Sequence, residues 1–172
     1  IPKAAGFLAL LILLEIRALD GSLYEPVEIV LWVMAVLTMT LGNVGALLQT
    51  SLKRILGYSS IAHSGYLLMG VLAGPGEGYQ ALLIYLVLYG VSNTGAFAVI
   101  AAVRHENYEL ATLNDLATLR KHHPAAAWGM AICCASLLGL PPLIGFWGKL
   151  FLFTAAIKSG HLALVLVAAI NS

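Results

Sequence analysis

Apolar runs of about 20 residues follow one another along almost the whole chain, separated by short polar connectors. A run of that length matches the helix needed to cross roughly 30 Å of hydrocarbon at about 1.5 Å rise per residue. Six segments stand out, at roughly 3–18, 27–49, 55–73, 79–103, 126–157 and 161–172. Strand-like alternation is missing, which argues against a β-barrel. Composition closes off the soluble alternative. With 60% hydrophobic and 10% charged residues and a mean hydropathy of +0.92, there is too little polar surface to coat a globule of 172 residues. The sequence predicts an all-α fold, a polytopic transmembrane helix bundle forming a single domain in the lipid bilayer.

The connectors carry the breakers such turns need: Asp20-Gly21-Ser22 with Pro26, then Gly74-Pro75-Gly76-Glu77-Gly78, then Ser159-Gly160. Short connectors make sequence neighbours antiparallel. The chain opens Ile1-Pro2-Lys3 with no signal-peptide order of charge, core and cleavage site, and stops within an apolar run. Both ends thus read as cuts through helices of a longer polypeptide. Lys53 and Arg54 join segments two and three, and Arg104, Arg120 and Lys121 join segments four and five. The opposite connectors hold Lys158, with Arg17 at a helix end. This asymmetry predicts that connectors 49–55 and 104–125 face the cytoplasm.

The long connector 104–125 reads as a surface amphipathic helix over about 113–121. Thr112 would be its N-cap, with Asp115 three residues on and Leu113, Leu116, Ala117 and Leu119 along one side; an unstructured loop is the alternative. Segment five, 126–157, would be roughly 48 Å long as a straight helix, too long for the bilayer without large tilt. Pro141-Pro142 sits at its centre. Two prolines remove two backbone donors and clash with the preceding turn, so the helix should break near Leu140. Carbonyls freed in a bilayer need protein or water as partners, which places such a break beside a polar cavity.

Ionisable side chains inside the apolar runs are the candidates for chemistry. Lys149 lies seven residues after Pro142 among apolar neighbours. A charge there costs a few kcal/mol on insertion scales, and Lys158, roughly 13 Å along the helix, is beyond comfortable snorkelling reach. Lys3 precedes an unbroken apolar run to Leu14. It sits either deep in the bilayer, roughly 20 Å from Arg17, or at an interface. His63, amid Tyr58, Ser59, Ser60, Ser64 and Tyr66, is either part of a proton path or a histidine bonded to a neighbouring helix. Lys53 is an interfacial cation or turns inward.

Ser92-Asn93-Thr94-Gly95 in segment four, and Gly42 with Gly45 in segment two, suit close helix approach; a hydrated lining is the alternative for segment four. Cys133 and Cys134 are adjacent, a spacing for neither zinc nor iron–sulfur ligation, and read as small buried hydrophobes. With a net charge of +1 and no basic or aromatic patch, nothing points to nucleic acid. No nucleophile, triad, metal cluster, phosphate loop or nucleotide motif is present, so no catalytic, cofactor-binding or metal residues are assigned. An amine in low dielectric can gain and lose a proton as nearby charges change, which favours transport over catalysis.

The stretch Gln49-Thr50-Ser51-Leu52-Lys53-Arg54-Ile55-Leu56-Gly57-Tyr58-Ser59-Ser60-Ile61-Ala62-His63-Ser64-Gly65-Tyr66 resembles the signature of the antiporter-like membrane subunits of respiratory complex I and their relatives in cation/proton antiporters. Two further stretches, Tyr85 to Phe97 and Ser136 to Lys149, followed by Ala155-Ala156 and Asn171-Ser172, narrow the likeness to the bacterial NADH:quinone oxidoreductase branch. The resemblance covers essentially the whole chain. It implies a fold of about fourteen helices, of which this chain would supply about helices eight to thirteen. It also implies that Lys3 and Lys149 are proton-translocating residues, Lys3 on a central hydrophilic axis and Lys149 on the exit side of the broken helix at Pro141 and Pro142. His63 and Lys53 are further path candidates.

The implied function is a proton-translocating membrane-arm subunit, coupled to quinone reduction elsewhere in the complex. NAD, FMN, iron–sulfur clusters and quinone would sit in partner subunits, with none in this chain. Its partners would be other membrane-arm subunits, in the bacterial inner membrane. A secondary cation/proton antiporter without a redox partner is the alternative. A third reading is a scaffold whose lysines only pair with acids on other helices.

Overall fold

The structure, a computed structural model, describes residues 2–17, 25–104, 112–113 and 115–172. Its helices are α1 (Pro2–Arg17), α2 (Glu25–Leu47), α3 (Leu52–Leu72), α4 (Glu77–Arg104), α5 (Asp115–His122), α6 (Pro124–Leu138), α7 (Ile144–Lys158) and α8 (Leu162–Ile170). The Asp20-Gly21-Ser22 turn, residues 105–111 and the side chains of Arg17, Arg104 and Ala117 lie outside the described residues. Among the described residues, α2, α3 and α4 are each long and apolar enough to cross a membrane, and α6 is a shorter apolar helix. The chain is a multi-pass membrane bundle, and among the described residues its regular elements are helices.

Apolar side chains gain little by leaving lipid for protein, so packing here rests on fit and on polar contacts between helices. The α2–α3 pair shows how the sequence supplies that fit. A Cβ at Gly42 would sit 2.5 Å from the Ala62 backbone nitrogen, and one at Gly45 would sit 2.5 Å from the Tyr58 ring. Glycine at both positions lets the two backbones approach. Helix α3 lies at the centre, and Tyr66, Leu67, Met69 and Val71 are fully buried within it. Its neighbours α2 and α4 bury one side and turn Val30, Leu41, Val87 and Val91 outward.

The two ends of the bundle are distinct. At one end Ser51 pairs with Thr112 and the Leu113 N–H donates to the Thr50 carbonyl at 3.2 Å, so the α2–α3 and α4–α5 connectors meet. Helix α3 begins at Leu52, which puts Lys53 and Arg54 in its first turn, both exposed. Asp115 opens α5 and accepts from the Thr112 N–H at 2.8 Å and the Thr112 hydroxyl at 3.0 Å, tying the connector to the start of that helix. At the other end Lys158 pairs with Glu77 at 2.8 Å, and His161 Nε2 lies 3.1 Å from the Leu72 carbonyl.

The long apolar segment is two helices. Helix α6 stops at Leu138, and Gly139 follows in the left-handed region with φ 90°. The Gly139 N–H donates to the Ser136 carbonyl, and the Leu140 N–H to the Ala135 carbonyl, both at 3.1 Å, the double closure that a left-handed glycine permits. Pro141-Pro142, joined by a cis peptide, bridges to α7. The prolines thus end the helix within two residues of the predicted break.

Candidate functional site

In an unbroken helix the N–H of residue 142 would bond to the carbonyl of residue 138. Pro142 has no N–H, and its absence leaves the Leu138 carbonyl open. Lys149 takes that place: Nζ donates to the Leu138 carbonyl at 2.8 Å and to Ser172 Oγ at 2.6 Å. The side chain is buried, with 7% exposure, at the negative end of the α6 dipole, where a cation is stabilised. Its ammonium also stands 5.1 Å from the centre of the Tyr66 ring, within cation–π range.

The geometry of the break is fixed by a second relay. The Gly145 N–H, an orphan donor in the first turn of α7, reaches Ser136 Oγ at 3.1 Å. Ser136 Oγ lies 2.8 Å from Ser92 Oγ, and Ser92 donates to the Leu88 carbonyl at 3.1 Å. Ser136 is therefore the donor to Ser92, and the chain of bonds runs in one direction from α7 through α6 to α4. A Cβ at Gly145 would collide with the Ser136 carbonyl. Only glycine allows α7 to start so close to α6.

His63, 5% exposed, stands in the middle of the bundle. Its Nδ1 is hydrogen-bonded with the Tyr85 hydroxyl. The rings of Tyr66, Tyr85 and Tyr89 surround it at centroid distances of 5.7, 5.9 and 4.7 Å. Tyr66 donates to the Ala168 carbonyl at 3.3 Å.

Lys3 closes the row on the far side. Its Nζ donates to Ser60 through the carbonyl and through Oγ at 2.7 Å, and lies 4.9 Å from the centre of the Tyr89 ring. The side chain is half-buried against the middle of α3. One side of the row is thus Lys3, Ser60 and Tyr89, the centre is His63 with Tyr85, and the other side is Tyr66, Lys149 and the freed carbonyl.

Lys53 is not brought to this row. It stands ten residues before His63 on α3, about 15 Å along the helix, with its side chain exposed. Cys133 is half-buried, but Cys134 is exposed and borders the cavity beside Lys149, so the expectation of two buried cysteines fails for it. Adjacent residues on a helix point about 100° apart, so one can pack while its neighbour faces outward. Sequence reasoning missed Tyr85 and Tyr89. Their spacing of four residues in mid-segment puts both on one face of α4, a signal that was present but ambiguous with ordinary packing.

Fold and site define a membrane bundle with an internal row of ionisable and hydroxyl groups held at a broken helix. Over residues 1–172 the sequence matches the family described as NADH:quinone oxidoreductase/Mrp antiporter, TM. The chain belongs to that family. Among its relatives, "NADH-quinone oxidoreductase subunit N 2" of Roseiflexus castenholzii is 46% identical over 166 residues, covering 92% of this chain and 33% of the relative. "NADH-quinone oxidoreductase subunit N" of Trichlorobacter lovleyi is 43% identical over 171 residues, covering 99% and 35%. The chain thus spans about a third of the length of the curated relatives it matches.

Among solved structures, it is similar to a chain of respiratory complex I from Thermus thermophilus, with TM-score 0.72 and 35% identity, over 83% of this chain and 32% of that one. It is also similar to a chain of the Mrp complex from a Dietzia species, with TM-score 0.75 and 30% identity, over 84% and 27%.

Proposed function

We propose that this chain is the lysine-bearing part of a proton-translocating membrane-arm subunit of an NADH:quinone oxidoreductase. The observation that carries the reading is the polar row from Lys3 through His63 to Lys149, with Lys149 held by the carbonyl that the proline break frees. The names of the relatives, NADH-quinone oxidoreductase subunit N, support it. Each amine can hold a proton against an oxygen partner and release it to a hydroxyl or water beside it. Two ammonium charges in low dielectric repel, so a proton arriving at one amine favours departure from the other. His63, between them, would pass protons or hold the water that does.

On this reading the chain performs no redox chemistry itself. NAD, FMN, iron–sulfur clusters and quinone belong to partner subunits, and quinone reduction there drives the lysines electrostatically. The complex would lie in the bacterial inner membrane, with connectors 49–55 and 104–125 in the cytoplasm and other membrane-arm subunits beside it.

The test is Lys149→Ala in the intact complex, comparing proton pumping with NADH oxidation. Pumping should fall strongly with assembly retained, and full pumping would reject the assignment. The likeness to the Mrp complex favours a second reading, a cation/proton antiporter subunit without redox partners. Purification of the native complex separates the two, because flavin and iron–sulfur subunits accompany the chain only under the first.

A further inference from the structure

Two ties cross the break from α7 to α6, and they differ in kind. Gly145 and Lys149 lie four residues apart in α7, on one face and about one turn from each other. Both meet the last turn of α6: the Gly145 N–H donates to Ser136 Oγ at 3.1 Å, and Lys149 Nζ donates to the Leu138 carbonyl at 2.8 Å. The Lys149 tie changes with the proton it holds, because a hydrogen bond from an ammonium is roughly twice as strong as one from a neutral donor. The Ser136 tie joins two neutral groups and is the same in either state.

Ser136 stands in for a cap that α7 lacks. The residue at the cap position is Leu143, which makes no side-chain cap bond and has no oxygen to offer the first-turn N–H groups. The acceptor comes instead from another helix. Ser136 and Ser92 are both buried, and Ser136 donates to Ser92 Oγ at 2.8 Å, so the start of α7 is fastened through α6 to α4. Helix α7 meets α4 again three residues beyond Gly145, where a Cβ at Gly148 would stand 2.8 Å from the Tyr85 ring. That tyrosine is the one bonded to His63. The fastening at Gly145 therefore sets how α7 stands against α4, and with it the placement of Lys149 relative to the His63 cluster.

We infer that Ser136 is a positioning residue for Lys149: by bridging Gly145 to Ser92 it holds α7 in register with α4, so that the amine keeps one place beside the His63 cluster through each gain and loss of a proton. The inference rests on the reading of Lys149 as a proton carrier. Ser136 carries no proton in transit. Its own hydroxyl proton is committed to Ser92, and the group it accepts from is a backbone amide.

The experiment uses the intact complex in membrane vesicles, with proton pumping measured per assembled complex in H2O and in D2O. Ser136→Ala removes the bridge and should lower pumping about fivefold, the factor that one lost hydrogen bond makes in a rate. It should also raise the solvent isotope effect, because a misplaced amine makes proton transfer the slow step. Ser92→Ala keeps the Gly145 bond and loses only the anchor on α4, so pumping should fall about twofold, with the isotope effect moving the same way. A cap that served stability alone would change the amount of complex, not the rate or the isotope effect of each complex.

Unchanged pumping by Ser136→Ala, or lowered pumping with the parent's isotope effect, would overturn the inference. If Ser136→Ala does not assemble, Ser92→Ala decides by the same two measurements. The two readings fail separately. Undiminished pumping by Lys149→Ala removes the proton carrier, whereas pumping lost in Lys149→Ala but untouched in Ser136→Ala removes only the positioning role.

Discussion

Lys149 and Lys3 flank the same aromatic cluster, yet they are held in different ways. The acceptor for Lys149 is a carbonyl left over where α6 ends, to which Pro142 cannot donate. Lys3 borrows the carbonyl and hydroxyl of Ser60 inside an intact helix, where the same carbonyl also accepts from Ser64 Oγ at 3.1 Å. Lys149 is buried and Lys3 half-buried. The difference teaches that a broken helix does two jobs at one place, supplying the cation with a partner and relying on that cation to satisfy its own orphan oxygen. An intact helix can offer a lysine a partner without depending on it.

The largest effect that could break this comparison is on stability. Lys149→Ala should leave the Leu138 carbonyl buried without a partner, at a cost of about 1–3 kcal/mol. Lys3→Ala leaves the Ser60 carbonyl in its helix and should cost less. Thermal unfolding of the assembled complex compares them, and equal losses would deny the break its dependence on Lys149. Next, Gly145→Ala drives a Cβ into the Ser136 carbonyl and should destabilise by about 1–3 kcal/mol. It should lower assembly and loosen the Lys149 site while leaving the Lys3 site alone, readable as complex yield and thermal midpoint. The smallest effect sharpens the other side. Ser60→Ala removes one hydroxyl from Lys3 and should cost about 1 kcal/mol or less in the same unfolding measurement, because the carbonyl remains.

Much of this was legible in the sequence, and for identifiable reasons. Crossing helices are read from length and hydropathy, and the division of segment five follows from the two prolines. Lys149 and Lys3 are conspicuous because an ammonium in an apolar run is costly. Which faces meet was far less legible. In water a helix declares its buried side by where its polar residues fall, but in lipid the outward side is as apolar as the core. The four-residue spacing of Tyr85 and Tyr89 in α4 was equally compatible with ordinary packing, and nothing in α6 announced that Cys134 would lie exposed while Cys133 was half-buried.

What the sequence determined by itself is where the chain crosses, where it must break, and which amines are out of place in oil, because each is a one-residue or one-segment property of transfer to lipid. Only the tertiary structure decided that the Leu138 carbonyl would meet Lys149, that His63 would stand among three tyrosines from two helices, and that Ser136 would join Gly145 to Ser92. Those meetings depend on the rotation and approach of whole helices. Interhelical fit sets these, and it is written into pairs of distant residues such as Gly42 with Ala62 and Gly145 with Ser136, which no single stretch of sequence contains.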